Sequence, residues 1–232
     1  MIKVVLLILF QFLNLLYYSI KLRPDIIYNH WLFPQGFIGA LVGKLLNIKT
    51  VFTSHGSDVK LLSNSGLLGR LIINFTVNNS DSFTAVSQKS LNILKTSIKN
   101  KSSDLNCKVI PMGVDEFFFE KIYEPQDNEN NSTNFLYFGR MIDYKGVDLI
   151  IDAVLRLRKK PEINFHINLI GSGVDFNKIQ NKIKSYNLQE FVKLINFVER
   201  KELIKFIDNS KFIIIPSKIT KNEYEAGPLS LV

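Results

Sequence analysis

Short apolar runs of strand length alternate with stretches of helical periodicity along most of the chain, and the alternation starts twice. In the first half, Ile26-Ile27-Tyr28, Thr50-Val51-Phe52-Thr53, Ser82-Phe83-Thr84-Ala85-Val86 and Lys108-Val109-Ile110 read as strands. Helical patterns lie between them at residues 37–46 and 67–77 and from Ser87 onward, where the Ser87 hydroxyl suits an N-cap. In the second half, strands are expected at 135–138, 165–170, 191–195 and 212–215, and helices at 147–158, 174–185 and 201–208. Strands separated by helices of this length form parallel sheets, so the rhythm predicts an α/β chain. Residues 124–133 are polar and aperiodic. This divides the chain into residues 1–116, a linker or surface loop at 117–133, and residues 134–232. Two Rossmann-like domains facing each other across a cleft are the expected architecture.

The unit at residues 134–157 is the most informative. An apolar strand, Phe135-Leu136-Tyr137-Phe138, runs into Gly139-Arg140 and then Lys145-Gly146. From there Val147, Ile150, Ile151, Val154 and Leu157 mark one face of a helix. Strand-to-helix loops lie at the carboxyl end of a parallel sheet, where open α/β folds bind ligands. An Arg and a Lys five residues apart in such a loop can reach one diphosphate; two solvated cations beside a turn would look the same in sequence.

The same logic places His30 and His55 just past the ends of two successive strands, with Trp31 and Gly36 following the first and Gly56 the second. A lone His is usually structural, but two at neighbouring strand ends point toward a site. Lys and Arg outnumber Asp and Glu by 29 to 21, which suits an anionic ligand or an anionic membrane face. The basic residues are dispersed and no nucleic-acid motif is present, so no nucleic-acid partner is expected. Cys107 is the single cysteine, so no internal disulfide can form, and it reads as a core filler in a reduced compartment. The three His share no ligand spacing, and no metal site is expected.

Residues 4–20 are apolar apart from Gln11, Asn14 and Ser19, and Lys21-Leu22-Arg23-Pro24 follows without a small-residue cleavage site. A helix buried in, or lying beside a membrane on, an α/β domain is expected rather than a span.

Several segments together resemble a family 4 retaining glycosyltransferase of the GT-B fold. They are residues 24–36, 53–58, 84–87, 110–115, 138–146, 169–173 and 216–231, in the family's order and roughly its spacing. The resemblance implies that Arg140 and Lys145 hold the donor diphosphate, with Gly139, Gly171, Gly173 and Val198 lining the nucleotide side. It implies that His55 lies close to the transferred sugar and that Glu225 contacts the donor-sugar hydroxyls, with Gly227, Pro228 and Leu229 beside it. His30, Trp31 and Gly36 fall on the acceptor side. The implied reaction needs no metal or cofactor. It moves a sugar from a nucleotide-diphosphate sugar to a glycan or lipid-linked acceptor, in cell-surface polysaccharide biosynthesis. The implied location is cytoplasmic, with peripheral contact to the anionic membrane face as a second expectation.

The match departs from the family in three ways. Asn196 stands where many members have Gly. A first strand with a Gly-rich loop is missing, and the signature's second Glu would fall at position 233. Both domains are therefore expected to be incomplete, as in a fragment truncated at both ends. An inactive nucleotide-sugar-binding remnant and a GT-B sugar-nucleotide epimerase are the alternative readings.

Overall fold

A computed structural model describes residues 2–98, 106–118 and 132–220. Residues Glu225, Gly227, Pro228 and Leu229 lie outside the described residues. By contact the described chain divides into two units, one ending at Met112 and one running from Gly113 to Thr220.

The first unit opens with helix α1 (Ile2–Leu22) and continues β1 (Ile26–His30), α2 (Phe37–Leu46), β2 (Lys49–Ser54), α3 (Ser57–Ser63), α4 (Gly66–Asn78), β3 (Ser82–Ala85), α5 (Gln88–Ser97) and β4 (Cys107–Val109). The four strands form one parallel sheet in sequential order, β1-β2-β3-β4, with His30 opposite Thr53 and Thr53 opposite Thr84. Alternation along β1 and β2 decides what each face does. Ile27 on β1 and Phe52 on β2 point inward, and Phe83 of β3 stacks on Phe52 at 5.2 Å. Around them pack Leu62, Ile73, Val77, Leu91 and Leu94 from α3, α4 and α5. Tyr28 and Ile26 point the other way and stay exposed. Ser87 caps α5 as expected, its hydroxyl accepting from the Ser90 amide at 3.3 Å. Cys107 is half-buried against the first unit's core.

Helix α1 lies against α2 and β1 through Ile8, Phe12, Leu15 and Leu16, which pack on Ile27, Ile38 and Val42. Ser19 near the end of the helix is buried as well. Leu6, Leu9, Phe10, Leu13, Tyr17 and Ile20 are exposed. The expectation of a buried helix therefore holds for one face of α1 only.

The second unit contains β5 (Thr133–Phe138), α6 (Val147–Leu157), β6 (Phe165–Ile170), α7 (Phe176–Ser185), β7 (Val192–Ile195), α8 (Arg200–Asp208) and β8 (Phe212–Ile213). Its sheet is parallel in the order β7-β6-β5-β8. The periodicity of α6 has its physical outcome here. Val147, Ile150, Ile151 and Val154 are buried against Tyr137, Ile167 and Leu169 of the strands and Ile179 and Ile183 of α7. Burying side chains of this size stabilises by about 1.5–3 kcal/mol each, which holds the helix start, and so the loop before it, against the sheet. Both units are Rossmann-like α/β halves, as the rhythm of the sequence predicts.

Candidate active site

The residues of the second unit converge on two loops at the carboxyl ends of the central strands β5 and β6. The β5 loop leaves Phe138 through Gly139 and Arg140 and passes a single 3₁₀ turn, Asp143–Lys145, before α6. The β6 loop is Gly171-Ser172-Gly173. The two are joined backbone to backbone. The Gly139 amide donates to the Ile170 carbonyl at 3.0 Å, the Met141 amide to the Ser172 carbonyl at 2.8 Å, and the Asp175 amide to the Met141 carbonyl at 3.0 Å.

This closeness explains the two glycines of the β6 loop. A Cβ on Gly171 would sit 1.9 Å from the Gly139 carbonyl oxygen, and one on Gly173 would sit 2.3 Å from that of Met141. Both have φ near +150° (147 and 153), a region side-chain-bearing residues avoid.

Within this frame the cations are oriented rather than loose. The Tyr137 hydroxyl donates to the Arg140 carbonyl at 2.8 Å and pins the backbone under the guanidinium. Arg140 Nη2 donates to the Tyr144 hydroxyl at 2.7 Å. Tyr144 is itself buried, and Lys145 Nζ lies over its ring, 5.7 Å from the centroid. The sequence does not single out Tyr144 among the residues of this Gly-bounded loop.

A second positioning group went unnoticed too. Lys218 Nζ donates to Asp148 at 2.8 Å and to Asp143 at 3.3 Å, and its amide donates to the Tyr144 carbonyl at 2.7 Å. The segment after β8 therefore ties down both ends of the cationic turn. Burial pushes the Asp148 carboxyl up, but the Lys218 hydrogen bond and charge outweigh it, and the group ends below its ordinary value. The same bond raises Lys218.

Beside the two loops lies a cavity of about 250 Å³, bordered by Arg140, Gly171, Ser172, Phe197, Val198 and Leu203. The structure thus brings together Gly139, Arg140, Gly171 and Val198 around one space. Phe197, 77% exposed, is an apolar wall that sequence reasoning missed. Asn196 takes no left-handed conformation, and its side chain accepts the Phe197 amide at 2.8 Å, so the backbone here does not require glycine. A larger groove of about 500 Å³ runs along β7 and α7 and contains none of the expected site residues.

In the first unit, His30 and His55 meet. His30 Nδ1 and His55 Nε2 are 3.0 Å apart. Trp31 stacks on His55 at 5.7 Å with the rings 25° apart, and Tyr28 meets His30 edge-on at 4.8 Å. Trp31 has φ 75° and ψ 136°, a sparsely populated conformation for a bulky residue and a kind of strain that gathers at functional sites. It is held by the Trp31 amide donating to the Thr53 carbonyl at 2.8 Å and the Gly36 amide donating to the Trp31 carbonyl at 2.9 Å. The buried Asp58 carboxylate accepts the Leu32 amide at 2.6 Å and the Ser54 hydroxyl at 3.2 Å. Burial lowers the pKa of His55; Asp58 opposes this and His30 reinforces it. Among the described residues, no three His, Cys, Asp or Glu side chains gather as metal ligands.

Two Rossmann-like units, the second carrying oriented cations at the carboxyl end of its sheet, make an α/β protein with a site suited to an anionic ligand, and comparison with known families narrows the class. Residues 3–116 match the glycosyltransferase family 4 model and residues 118–232 match glycosyl transferases group 1; the chain belongs to the GT-B glycosyltransferases. It is 36% identical over 164 residues to an uncharacterized glycosyltransferase of Methanocaldococcus jannaschii, covering 71% of this chain and 41% of the relative. It is 26% identical over 151 residues to the putative teichuronic acid biosynthesis glycosyltransferase TuaC of Bacillus subtilis, covering 62% of this chain and 38% of TuaC. Among solved structures it resembles HepE of Anabaena in complex with UDP, with TM-score 0.68 at 18% identity over 89% of this chain and 56% of HepE. The chain thus spans about two-fifths of the length of these two relatives.

Proposed function

We propose that this chain binds a nucleotide-diphosphate sugar in its second unit and takes part in moving that sugar to a glycan or lipid-linked acceptor, with retention of configuration, in cell-surface polysaccharide assembly. The observation that carries this reading is the Arg140–Tyr144–Lys145 arrangement on a loop bonded to Gly171-Ser172-Gly173 beside a cavity. Breaking a sugar–phosphate bond leaves negative charge on the diphosphate. Two cations already oriented at that position stabilise the charge without reorganising as it forms. The cavity at Phe197 and Val198 takes the base. UDP is the first nucleotide to try, because HepE was solved with it.

In the same reading, His55 faces the transferred sugar, while His30, Trp31 and Gly36 belong to the acceptor side. Glu225 is assigned to the donor-sugar hydroxyls, with Gly227, Pro228 and Leu229 beside it, by family resemblance alone. Calorimetric titration of UDP, GDP and ADP into wild type and Arg140→Ala/Lys145→Ala tests the donor assignment. Binding of at least one nucleotide by wild type, weakened at least tenfold in the double variant, is expected. Equal affinity in both chains would sink the diphosphate assignment. Retention is read from the anomeric proton coupling of the product, and a chain that only interconverts nucleotide sugars would be an epimerase instead.

A second reading concerns location. α1 is long and apolar enough to cross a membrane by length and composition, and one of its faces is exposed while the other packs on the first unit. We propose that this face gives a cytoplasmic protein peripheral contact with an anionic membrane.

A further inference from the structure

The bond between His30 and His55 restricts what either imidazole can do. Between Nδ1 of His30 and Nε2 of His55 there is room for one hydrogen, at a separation of 3.0 Å. One nitrogen must donate it and the other must offer a lone pair. While the bond is intact the two rings therefore carry two or three N–H groups in total, and never four. The pair holds at most one positive charge.

Its surroundings hold the His55 ring in place. Trp31 covers one face of His55, and Tyr28 braces His30 from the edge. The His30 backbone is fixed by the parallel pairing of β1 and β2, whose register places it opposite Thr53, and His55 follows directly on the end of β2 at Ser54. Among the described residues the charged or titratable groups acting on His55 are Asp58 of α3 and His30 itself. Asp58 is already engaged by the Leu32 amide and the Ser54 hydroxyl.

We propose that His30 is a positioning residue for His55: by occupying Nε2, it leaves Nδ1 as the one ring nitrogen His55 can present to a ligand, and it ties the state of that nitrogen to its own tautomer. When the His30 Nδ1–H donates, His55 carries its proton on Nδ1 and presents a donor. When His55 donates from Nε2, its Nδ1 presents a lone pair. A third proton added to the pair settles the choice in favour of a donor at Nδ1, because both remaining positions are then filled. The effect on sugar transfer rests on the glycosyltransferase reading above; the pairing does not.

The chain contains three His and one Trp, which makes the experiment direct. Long-range proton–nitrogen spectra of the full chain, labelled at His ring nitrogens, are recorded from pH 9 to pH 5, with His166→Gln used to assign the third ring. The expected result is one predominant His55 tautomer at pH 8. The His55 protonation midpoint should lie below the ordinary imidazole value, the direction that burial and the neighbouring His30 impose. In His30→Ala the His55 tautomers should mix and its midpoint should rise, since a like-charged neighbour is gone. In His30→Asn, whose amide can reach the place of Nδ1, the single tautomer should return. Trp31 emission reports whether each variant is folded, and it should be quenched as the stacked His55 ring protonates. The same tautomer population in wild type and His30→Ala, or a His55 midpoint that His30→Ala leaves unmoved, overturns the proposal. For turnover of a nucleotide sugar, a roughly tenfold lower kcat with little change in donor KM is expected in His30→Ala, recovered in His30→Asn. If the His30-dependent His55 tautomer is seen while wild type turns over no nucleotide sugar, the pairing stands and the proposed function fails.

Discussion

Arg140 and Lys145 are both fixed on Tyr144: one guanidinium nitrogen donates to its hydroxyl at 2.7 Å, and the ammonium lies over its ring. Tyr144 is thus the common support of the two cations assigned to the diphosphate. Removing either cation should lower turnover about a hundredfold, the scale of losing one oriented electrostatic group. The double variant should lose less than the product of the two, because both act on one diphosphate. Steady-state kinetics on Arg140→Ala, Lys145→Ala and the pair check this, and wild-type rates in both single variants would remove the assignment.

Tyr144→Phe keeps the ring under Lys145 and deletes the acceptor for Arg140. A loss of about five- to tenfold in kcat/KM is expected, the worth of one net hydrogen bond near 1 kcal/mol, with thermal stability close to wild type. A loss as large as that of Arg140→Ala would mean that the hydroxyl meets the substrate itself.

Gly171→Ala should be far worse than its size suggests. The added methyl would meet the Gly139 carbonyl at 1.9 Å, so the two loops must part. A midpoint of thermal unfolding lowered by several degrees is expected, together with loss of nucleotide binding. Ser172→Ala, between the two glycines, is the control and should leave the unfolding midpoint near that of wild type.

The Lys218 clamp has a defined pH window. Asp148 lies below its ordinary value of 3.8 when folded, so its contribution is present above that pH and is lost as pH falls through the folded value. Lys218 lies above 10.5, so its contribution is present below that pH and is lost as pH rises through the folded value. Across neutral pH the clamp is intact. Side-chain exposures of 25% and 27% limit it to about 1 kcal/mol or less. Lys218→Met should therefore cost little stability but should loosen donor binding several-fold. Denaturant titration and nucleotide titration of the same variant separate the two effects.

Membrane contact through α1 is checked by co-sedimentation with vesicles containing anionic phosphatidylglycerol. Binding at low salt that weakens at high salt is expected, since screening acts on the Lys and Arg component while the apolar face of α1 supplies the rest. Absence of binding at low salt would rule the contact out, and replacing Phe10 and Leu13 with Ser should abolish it.

Much of the architecture could be read from periodicity, because α/β elements announce themselves by where the apolar side chains recur. α2 was expected at residues 37–46 and spans Phe37–Leu46; β6 was expected at 165–170 and spans Phe165–Ile170. Helix α3 escaped notice because its seven residues bury only Asp58, Val59 and Leu62, too few turns to show a period. The site was legible in part. The cations and glycines stood out because few residue types suit a loop that meets phosphate. Tyr144, Phe197 and Lys218 did not, because their importance lies in what they touch. Lys218 reaches residues 70 and 75 positions away, a distance over which local patterns carry no information. The meeting of His30 with His55 depends on strand register, whereas sequence pattern places them only at neighbouring strand ends.

The backbone bonds between the β5 and β6 loops separate the frame of the proposed donor site from its chemistry. Main-chain atoms make those bonds, so any residue at positions 140 and 172 would leave them in place. Mutational scanning should therefore find these two positions permissive for folding but selective for function, and Gly171 and Gly173 intolerant for both. A protein engineer seeking a different nucleotide preference could randomise positions 172, 197 and 198 together and still recover well-folded chains.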